Sequence, residues 1–421
     1  MSPSAAVARD KWLVVGSIGA ICFVIAGSSA AVVGPVFVPM MREFGWSNGK
    51  TSALATSYTL AFLATTPAVG LLADRIGARA IMIFGTLAAC SGLFVVSQCS
   101  SWMGMLLAFA LVGLGINATF YLPSAMVVTS WMGSQRALGM GIVMGAMSAG
   151  ATVFSTLIGW WFELYGWRTT VAGIAALILL MLPIIFFFVK GRPSGDNPVG
   201  VIEKITESPP SVRNNLSSQS VILTIISGAL FGFGMQGVYF HVVPLLISSG
   251  YSAHMAGLAY GGTWLLSGLG SLALGVIAER AGTKATLAGA LIMCAIGTLC
   301  LLGADVTTPG VACVVAFVLF WGASVNSFGQ MAPVLFAELC GSRNLGGLIG
   351  IQLAAAGLVG AAAPVVSGWI YDKFGGYRLA IDTDAAAVFF AFVLILLIGT
   401  RKNRVANGIL RHPKPDVVHL G

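Results

Sequence analysis

The side chains in this sequence that could engage another molecule are polar rather than reactive. Asn117 and Tyr121 stand four residues apart, as do Asn326 and Gln330, and Gln236, Tyr239 and His241 fall in one short stretch. Residues three or four apart share a face of a helix, so each group forms a small polar patch inside an apolar run. Amides pair with carbonyls and ring nitrogens, and the rings of Tyr239, Tyr58 and Trp264 offer faces on which a flat molecule can stack. Groups of this kind hold a solute; they do not break bonds. The sequence has no HExxH, GxSxG or P-loop pattern and no paired intramembrane aspartates, so enzymatic chemistry and ATP hydrolysis lack their residues. No cofactor or metal is expected. The seven cysteines form no CxxC pair, and all but Cys99 and Cys340 sit within apolar stretches, where they read as small packing residues.

The elements that carry these patches follow from composition. Of 421 residues, 57% are hydrophobic and 9% charged, against about 25% charged in an average soluble domain. Too little charge remains to clothe a water-facing surface. Runs of about 20 apolar residues are long enough to cross a bilayer. They occur near 12–40, 50–73, 80–98, 102–131, 137–162 and 168–189, then near 220–248, 252–278, 285–303, 310–337, 345–371 and 379–400. The first run exceeds the apolar core of a cleavable signal peptide and reads as a membrane helix. The predicted fold is all-α and integral to a membrane: twelve spans in two six-helix bundles, residues 1–190 and 219–402, with a linker at 191–218 and a tail at 403–421. Seventeen of the 22 Lys and Arg residues lie on the side of the termini and linker and five on the other. The expected location is a cell inner membrane, and the positive-inside rule puts both termini and the linker in the cytoplasm. It also accounts for the net charge of +8 without any nucleic-acid partner.

On these spans every acidic and basic residue falls in a loop or near a helix end, Glu338 lying deepest. The central pathway is therefore expected to be polar but free of fixed charge. His241 is left as the single candidate for exchanging protons.

The halves repeat. Gly70-Leu-Leu-Ala-Asp74-Arg75-Ile-Gly77-Ala-Arg79 ends the second span, and Gly275-Val-Ile-Ala-Glu279-Arg280-Ala-Gly282-Thr-Lys284 ends the eighth, 205 residues later. Arg136-Ala-Leu-Gly139 and Arg343-Asn-Leu-Gly346 open spans five and eleven, which close on Gly159-Trp160 and Gly368-Trp369. The first string resembles the signature loop of the major facilitator superfamily, and the second its echo. The stretch from Pro35 through Arg42 to Ser47 is similar to the first external loop of bacterial monocarboxylate-porter-like members. The resemblance implies a secondary carrier working by alternating access, with spans one, four, seven and ten around a central cavity. It also implies that Gly70, Asp74, Arg75, Gly77, Arg79, Glu279 and Arg280 form a gate on the terminal side, where a carboxylate can bind a helix N-terminus. Asn117, Tyr121, Gln236, Tyr239, His241, Trp264, Asn326 and Gln330 would bind the solute.

An uncharged or weakly acidic flat solute of the riboflavin class fits those residues, taken up by a monomer in the lipid bilayer, with protons as a coupling ion through His241. The alternatives are a proton-coupled monocarboxylate symporter and a drug or metabolite exporter. Monocarboxylate carriers of the superfamily have an arginine in span eight. Here that stretch reads Ser267-Gly-Leu-Gly-Ser271-Leu-Ala-Leu-Gly275.

Overall fold

In lipid a backbone satisfies its own polar groups or none at all, and a single chain segment does so as a helix. The computed structural model, which describes residues 3–132, 136–189, 219–340 and 345–399, has twelve helical spans long and apolar enough to cross a membrane. The linker and tail lie outside the described residues. Span two runs Asn48–Ile76, span three Ala78–Gln98, span five Arg136–Tyr165 and span seven Gln219–Ser248; span eight is Ala253–Ala281, span eleven Leu345–Phe374 and span twelve Arg378–Leu396. Spans one to six share one hydrophobic core and spans seven to twelve another.

Local chemistry sets the ends. Facing away from the termini, on what we call the far face, spans two, four, eight and ten each open on a hydroxyl cap. Ser47, Ser101, Ser252 and Thr307 accept from the backbone N–H three residues on, at 3.2, 3.2, 3.2 and 3.4 Å, satisfying donors the helix leaves open. On the terminal face, spans two and three are joined by Gly77 alone, and spans eight and nine by Gly282 alone. Their φ values of 90° and 86° suit glycine and little else.

Four spans are discontinuous: span six breaks at Leu180 between Trp167–Leu179 and Met181–Phe188, and spans one, four and ten break as follows. The apolar run near 12–40 is not one helix. It continues from Pro3–Ile21 through a π-helical turn, Cys22–Ala26, and Gly27–Val33, then turns at residues 34–36 and restarts as Phe37–Phe44. Pro35 lacks the N–H that would continue the first helix, whereas Pro39 sits in the first turn of the second, where none is needed. Span four breaks at Phe120 between Trp102–Thr119 and Tyr121–Met132; Pro123 removes the donor to Thr119 and crowds its carbonyl. Span ten breaks at Val325–Asn326, between Thr308–Ser324 and Ser327–Cys340. The breaks of spans four and ten, at Phe120 and Val325, are separated by the same 205 residues as the two signature loops.

The halves touch along two seams, span five against eight and span two against eleven. Both seams are tight on the far face and part toward the terminal face. A methyl on Gly159 would stand 2.4 Å from the Ala253 carbonyl oxygen, and one on Gly257 2.3 Å from that of Ser155. At Gly261 the distance, to the Thr152 carbonyl oxygen, is 2.8 Å; at Gly268, to Ser148, it is 3.9 Å; around Gly145, Gly141 and Gly275 nothing lies within 4 Å. On the other seam the series runs from Gly368, 2.6 Å from the Ser52 hydroxyl, through Gly357, 3.0 Å from Leu63, to Gly350, with nothing within 4 Å. The protein is shut at the far face and open at the terminal face.

Within the first half, Arg168 ties three far-face loops together. It donates to Glu43 at 3.0 and 2.9 Å, to the Ser97 and Cys99 carbonyls at 2.8 and 3.2 Å, and stacks 4.6 Å from the Trp167 ring. These bonds, with the Trp167 indole N–H, hold the Glu43 carboxyl below its usual range. The lowered value means its stabilisation is present above the ordinary carboxylate range and fades as pH falls through the folded value. Arg168→Ala is expected to destabilise the protein by about 2 kcal/mol, read as a lower melting temperature near neutral pH, with the gap to wild type narrowing on acidification.

Candidate functional site

At the apex of the terminal cleft, where the span five–eight seam begins to part, three aromatic rings meet nearly edge to face. Tyr239 of span seven lies 5.8 Å from Tyr260 and 5.9 Å from Trp264 of span eight, and those two rings are 6.3 Å apart. Tyr239 packs against the cores of both halves, and Tyr58 of span two joins the first. Phe240, beside it, inserts into the first-half core and stacks on Phe37 at 6.4 Å. The aromatic walls expected from Tyr58, Tyr239 and Trp264 therefore come together where the halves join.

The amides divide. Gln236, one turn from Tyr239 on the terminal side, is half-buried beside Gly360 of span eleven and makes no hydrogen bond among the described residues. Gln330 holds a buried Oε1 with no partner, and Asn326 is exposed at the break in span ten. These three can still pair with a solute. Asn117 is engaged: its Nδ2 donates to the Phe62 carbonyl at 2.8 Å and to the Thr65 and Thr66 hydroxyls at 3.0 and 3.1 Å, pinning span four to span two. The two polar pairs do not stand at matching depth. The 205-residue repeat sets Asn117 against Gly322, which packs on Thr263 of span eight, and sets Asn326 against Tyr121, whose side chain lies outside the described residues.

His241 faces the far side. Its Nδ1–H donates to the Gly237 carbonyl at 3.1 Å, which leaves Nε2 to accept from the Ser52 hydroxyl of the opposite half at 2.9 Å. Further bonds cross the halves nearby. The Asp372 carboxylate, at the end of span eleven, accepts from the Asn48 and Gly49 N–H groups, each at 2.7 Å. Tyr377 donates to the Asn48 side chain at 2.9 Å and Thr56 to the Ala361 carbonyl at 2.7 Å. On the other seam Glu163, at the end of span five, accepts from the His254 N–H at 3.4 Å. Each half thus sends a carboxylate, four residues after the glycine of its Gly-Trp pair, onto the first turn of a span in the other half. Sequence reasoning found the Gly-Trp pairs but not these acids, although Gly-Trp-x-x-acid recurs in both halves.

The expectation that no acidic residue lies within a span fails at Asp384. It is buried in span twelve and its carboxylate rests on Gly237 of span seven. The reading placed it near a helix end, where water would reach it; span seven's missing side chains let the two helices close over it. Gln352 of span eleven, buried against Gly228, was also passed over.

In the signature loops the last basic residue of each string caps the final span of its own half. Arg79 donates to the Val189 carbonyl, and Lys284 to those of Leu396 and Ile398 at 2.8 and 2.7 Å. Among the described residues Arg75, Glu279 and Arg280 are exposed and make no ion pair. Gly70 is half-buried, and the Asp74 side chain lies outside the described residues. A separate cavity of 570 Å³ opens on the far face, bounded by Pro35, Arg42, Ser155, Glu163, Val243 and Tyr251.

Residues 19–332 and 243–417, two overlapping segments, match the sequence profile of the Major Facilitator Superfamily. Among curated proteins, the chain is 21% identical to monocarboxylate transporter 12 of Xenopus laevis, over 97% of this chain and 91% of that one. It is 26% identical to an MFS-type transporter of Gibberella moniliformis over 78% and 76%. Among solved structures, a point variant of the nucleoside transporter NupG superposes with a TM-score of 0.76 at 15% identity, covering 91% of this chain and 98% of that one. An inward-facing, unoccupied bacterial homologue of the human lysosomal transporter Spinster gives 0.73 at 15%, covering 98% and 100%.

Truncating the amides should separate structural from binding roles. Asn117→Ala is expected to cost about 1–2 kcal/mol in thermal unfolding of the detergent-solubilised protein. Gln236→Ala should stay within about 0.5 kcal/mol of wild type; a loss as large as that of Asn117→Ala would mean Gln236 is structural too.

Proposed function

The chain belongs to the major facilitator superfamily, and from that premise we propose that it carries an uncharged or weakly acidic, flat, polar solute through the cleft by alternating access. One observation carries the choice of solute. The Tyr239–Tyr260–Trp264 aromatic cluster lies where the halves join, Gln236 follows one turn from it on span seven, and Gln330 of span ten keeps a buried Oε1 without a partner, while every described Lys and Arg lies at the end of a span or between spans. Rings stack on a flat face and amides read carbonyls and ring nitrogens. Without a fixed cation nearby, a carboxylate would enter at the cost of its hydration.

Alternating access draws support from the two faces of the protein. The far-face carboxylate caps, the Ser52–His241 bond and the glycine contacts form one closed set, and the loosened signature loops are its counterpart. Closing the terminal side would engage Arg75, Glu279 and Arg280 and release the far side. In this reading His241 latches the far face and Asn117 braces the first half, whereas Gln236, Tyr239, Trp264, Asn326 and Gln330 meet the solute. The charge distribution of the loops supports cytoplasmic termini, so the open side would face the cytoplasm.

The second reading is a monocarboxylate carrier, favoured by the name of the frog relative that aligns along nearly the whole chain. Thermal stabilisation of the purified protein separates the two, since a ligand at one hundred times its Kd raises stability by about 2.7 kcal/mol. Uracil, nicotinamide or riboflavin should raise the melting temperature and lactate or pyruvate should not; the reverse would establish the second reading.

The caps make their own prediction. Asp372→Asn removes the anion from the first turn of span two, a change of about 1–2 kcal/mol, and should shift the population toward far-face opening roughly tenfold. Ser155, buried in the shut state, reports it: a cysteine introduced there should react faster with maleimide in the Asp372→Asn background, as read by peptide mapping.

A further inference from the structure

The far-face cavity has no part in the solute cleft, which opens on the terminal face, yet it has the make-up of a binding site. Its 570 Å³ lies within the range of pockets that hold small organic molecules. One wall comes from the first half: Pro35 and Val38 about the turn in span one, and Phe162 of span five. The other comes from the second half, where Val243 and Ile247 stand one turn apart on span seven. Gly159 and Gly257, whose backbones meet at the span five–eight seam, lie between them. Both walls are apolar, and they belong to halves that must separate when the far face opens.

One charged group of the cavity is left without a partner. Glu43 spends both oxygens, on Arg168 and on the Trp167 indole N–H. Glu163 accepts from the His254 N–H in the first turn of span eight. Arg42 makes no ion pair and no hydrogen bond among the described residues. Its place in the last turn of Phe37–Phe44 suits a cation but occupies none of its five N–H donors. The N-termini of spans six and eight, at Trp167 and Ala253, also open on the cavity and add positive potential. Glu43 is thus offset by Arg168, and Glu163 by the helix end it caps, while the Arg42 guanidinium remains. Ser155, on the span-five wall, keeps a buried hydroxyl with no partner. The solute cleft offers no such cation, since every described Lys and Arg lies at the end of a span or between spans.

We propose that this cavity is a second ligand site, for an organic anion with an apolar body, and that its occupant holds the far face shut. The anionic head pairs with Arg42 while the body fills the space between Phe162 and the Val243–Ile247 face. Opening draws these walls apart, so the anion binds the shut state and its binding energy opposes opening. That consequence rests on the alternating-access reading; the site itself does not. The occupant arrives from the far side and does not compete with solute in the cleft.

The test uses the full-length protein in nanodiscs. The probe is 2-naphthoate, with 2-naphthamide as its neutral counterpart and acetate as the head without the body. Calorimetric titration should show naphthoate bound about tenfold or more tighter than either. Arg42→Gln should remove that advantage and Arg42→Lys keep part of it. Gln236→Ala and Trp264→Ala, both in the cleft, should bind naphthoate as wild type does. No binding to wild type, binding indifferent to Arg42→Gln, or binding lost in either cleft variant would overturn the site. The clamp is read separately, in wild type and in Asp372→Asn. Click-reactive noncanonical residues at Tyr165 and Val306, 63% and 61% exposed, carry dyes for single-molecule distance measurement across the far face. Naphthoate at ten times its Kd should lower the open-to-shut ratio about tenfold, and adding Arg42→Gln should abolish the change. A ratio unchanged or raised by bound naphthoate would overturn the clamp. A far face that never opens in either protein would count against alternating access instead, and the calorimetry reads the site without it.

Discussion

Carboxylates on the first turns of helices in the opposite half are the constraint around which the shut face is arranged. A span that starts at a membrane surface presents N–H groups with no partner and the positive end of its dipole. Ser47 takes the Lys50 N–H, one of those donors of span two, and Asp372 of the other half takes two more. Water can replace Asp372 there. The cap is therefore strong when made and replaceable when broken, as a gate requires and a permanent core contact does not.

Glycine permits the caps to form. Gly159 and Gly257 on one seam, and Gly368 on the other, let backbones approach to distances that any side chain would prevent. Contacts of this kind gain dispersion energy from many atoms at once but are lost steeply with separation. A small rotation of one half thus releases an entire seam. The same residue type performs an unrelated task at Gly77 and Gly282, where positive φ turns the chain between spans in one residue.

Much of this was legible in the sequence because it is local. Span limits follow from length and apolarity, and eleven of the twelve matched the helices to within a few residues. The repeat was legible from two strings of ten residues, and the aromatic cluster from residue type and depth. What escaped depends on a second helix. Whether Asn117 faces a cavity or span two is decided by Thr65 and Thr66, fifty residues away. Asp384 reads as a helix-end residue until Gly234 and Gly237 of span seven are laid beside it. The first span reads as continuous because periodicity cannot separate an apolar helix from an apolar helix with a turn in it, and the turn at Pro35 was the signal passed over.

The two seams are related by the repeat but are not equivalent, and the difference bears on how the gate works. The span two–eleven seam carries two carboxylate bonds at 2.7 Å, the Thr56–Ala361 bond and the Tyr377–Asn48 bond, and the Ser52–His241 bond lies beside it. The span five–eight seam carries one longer carboxylate bond, at 3.4 Å, and otherwise glycine contacts at Gly159, Gly257 and Gly261. Polar bonds are directional and fail over a few tenths of an ångström of misalignment, whereas packed backbones lose their contacts as the surfaces separate. The first seam therefore holds the far face shut chiefly by directional bonds, and the second chiefly by close backbone packing. Gly237 lies beside the first, on span seven, with the buried acid against one side and the latching histidine on its carbonyl.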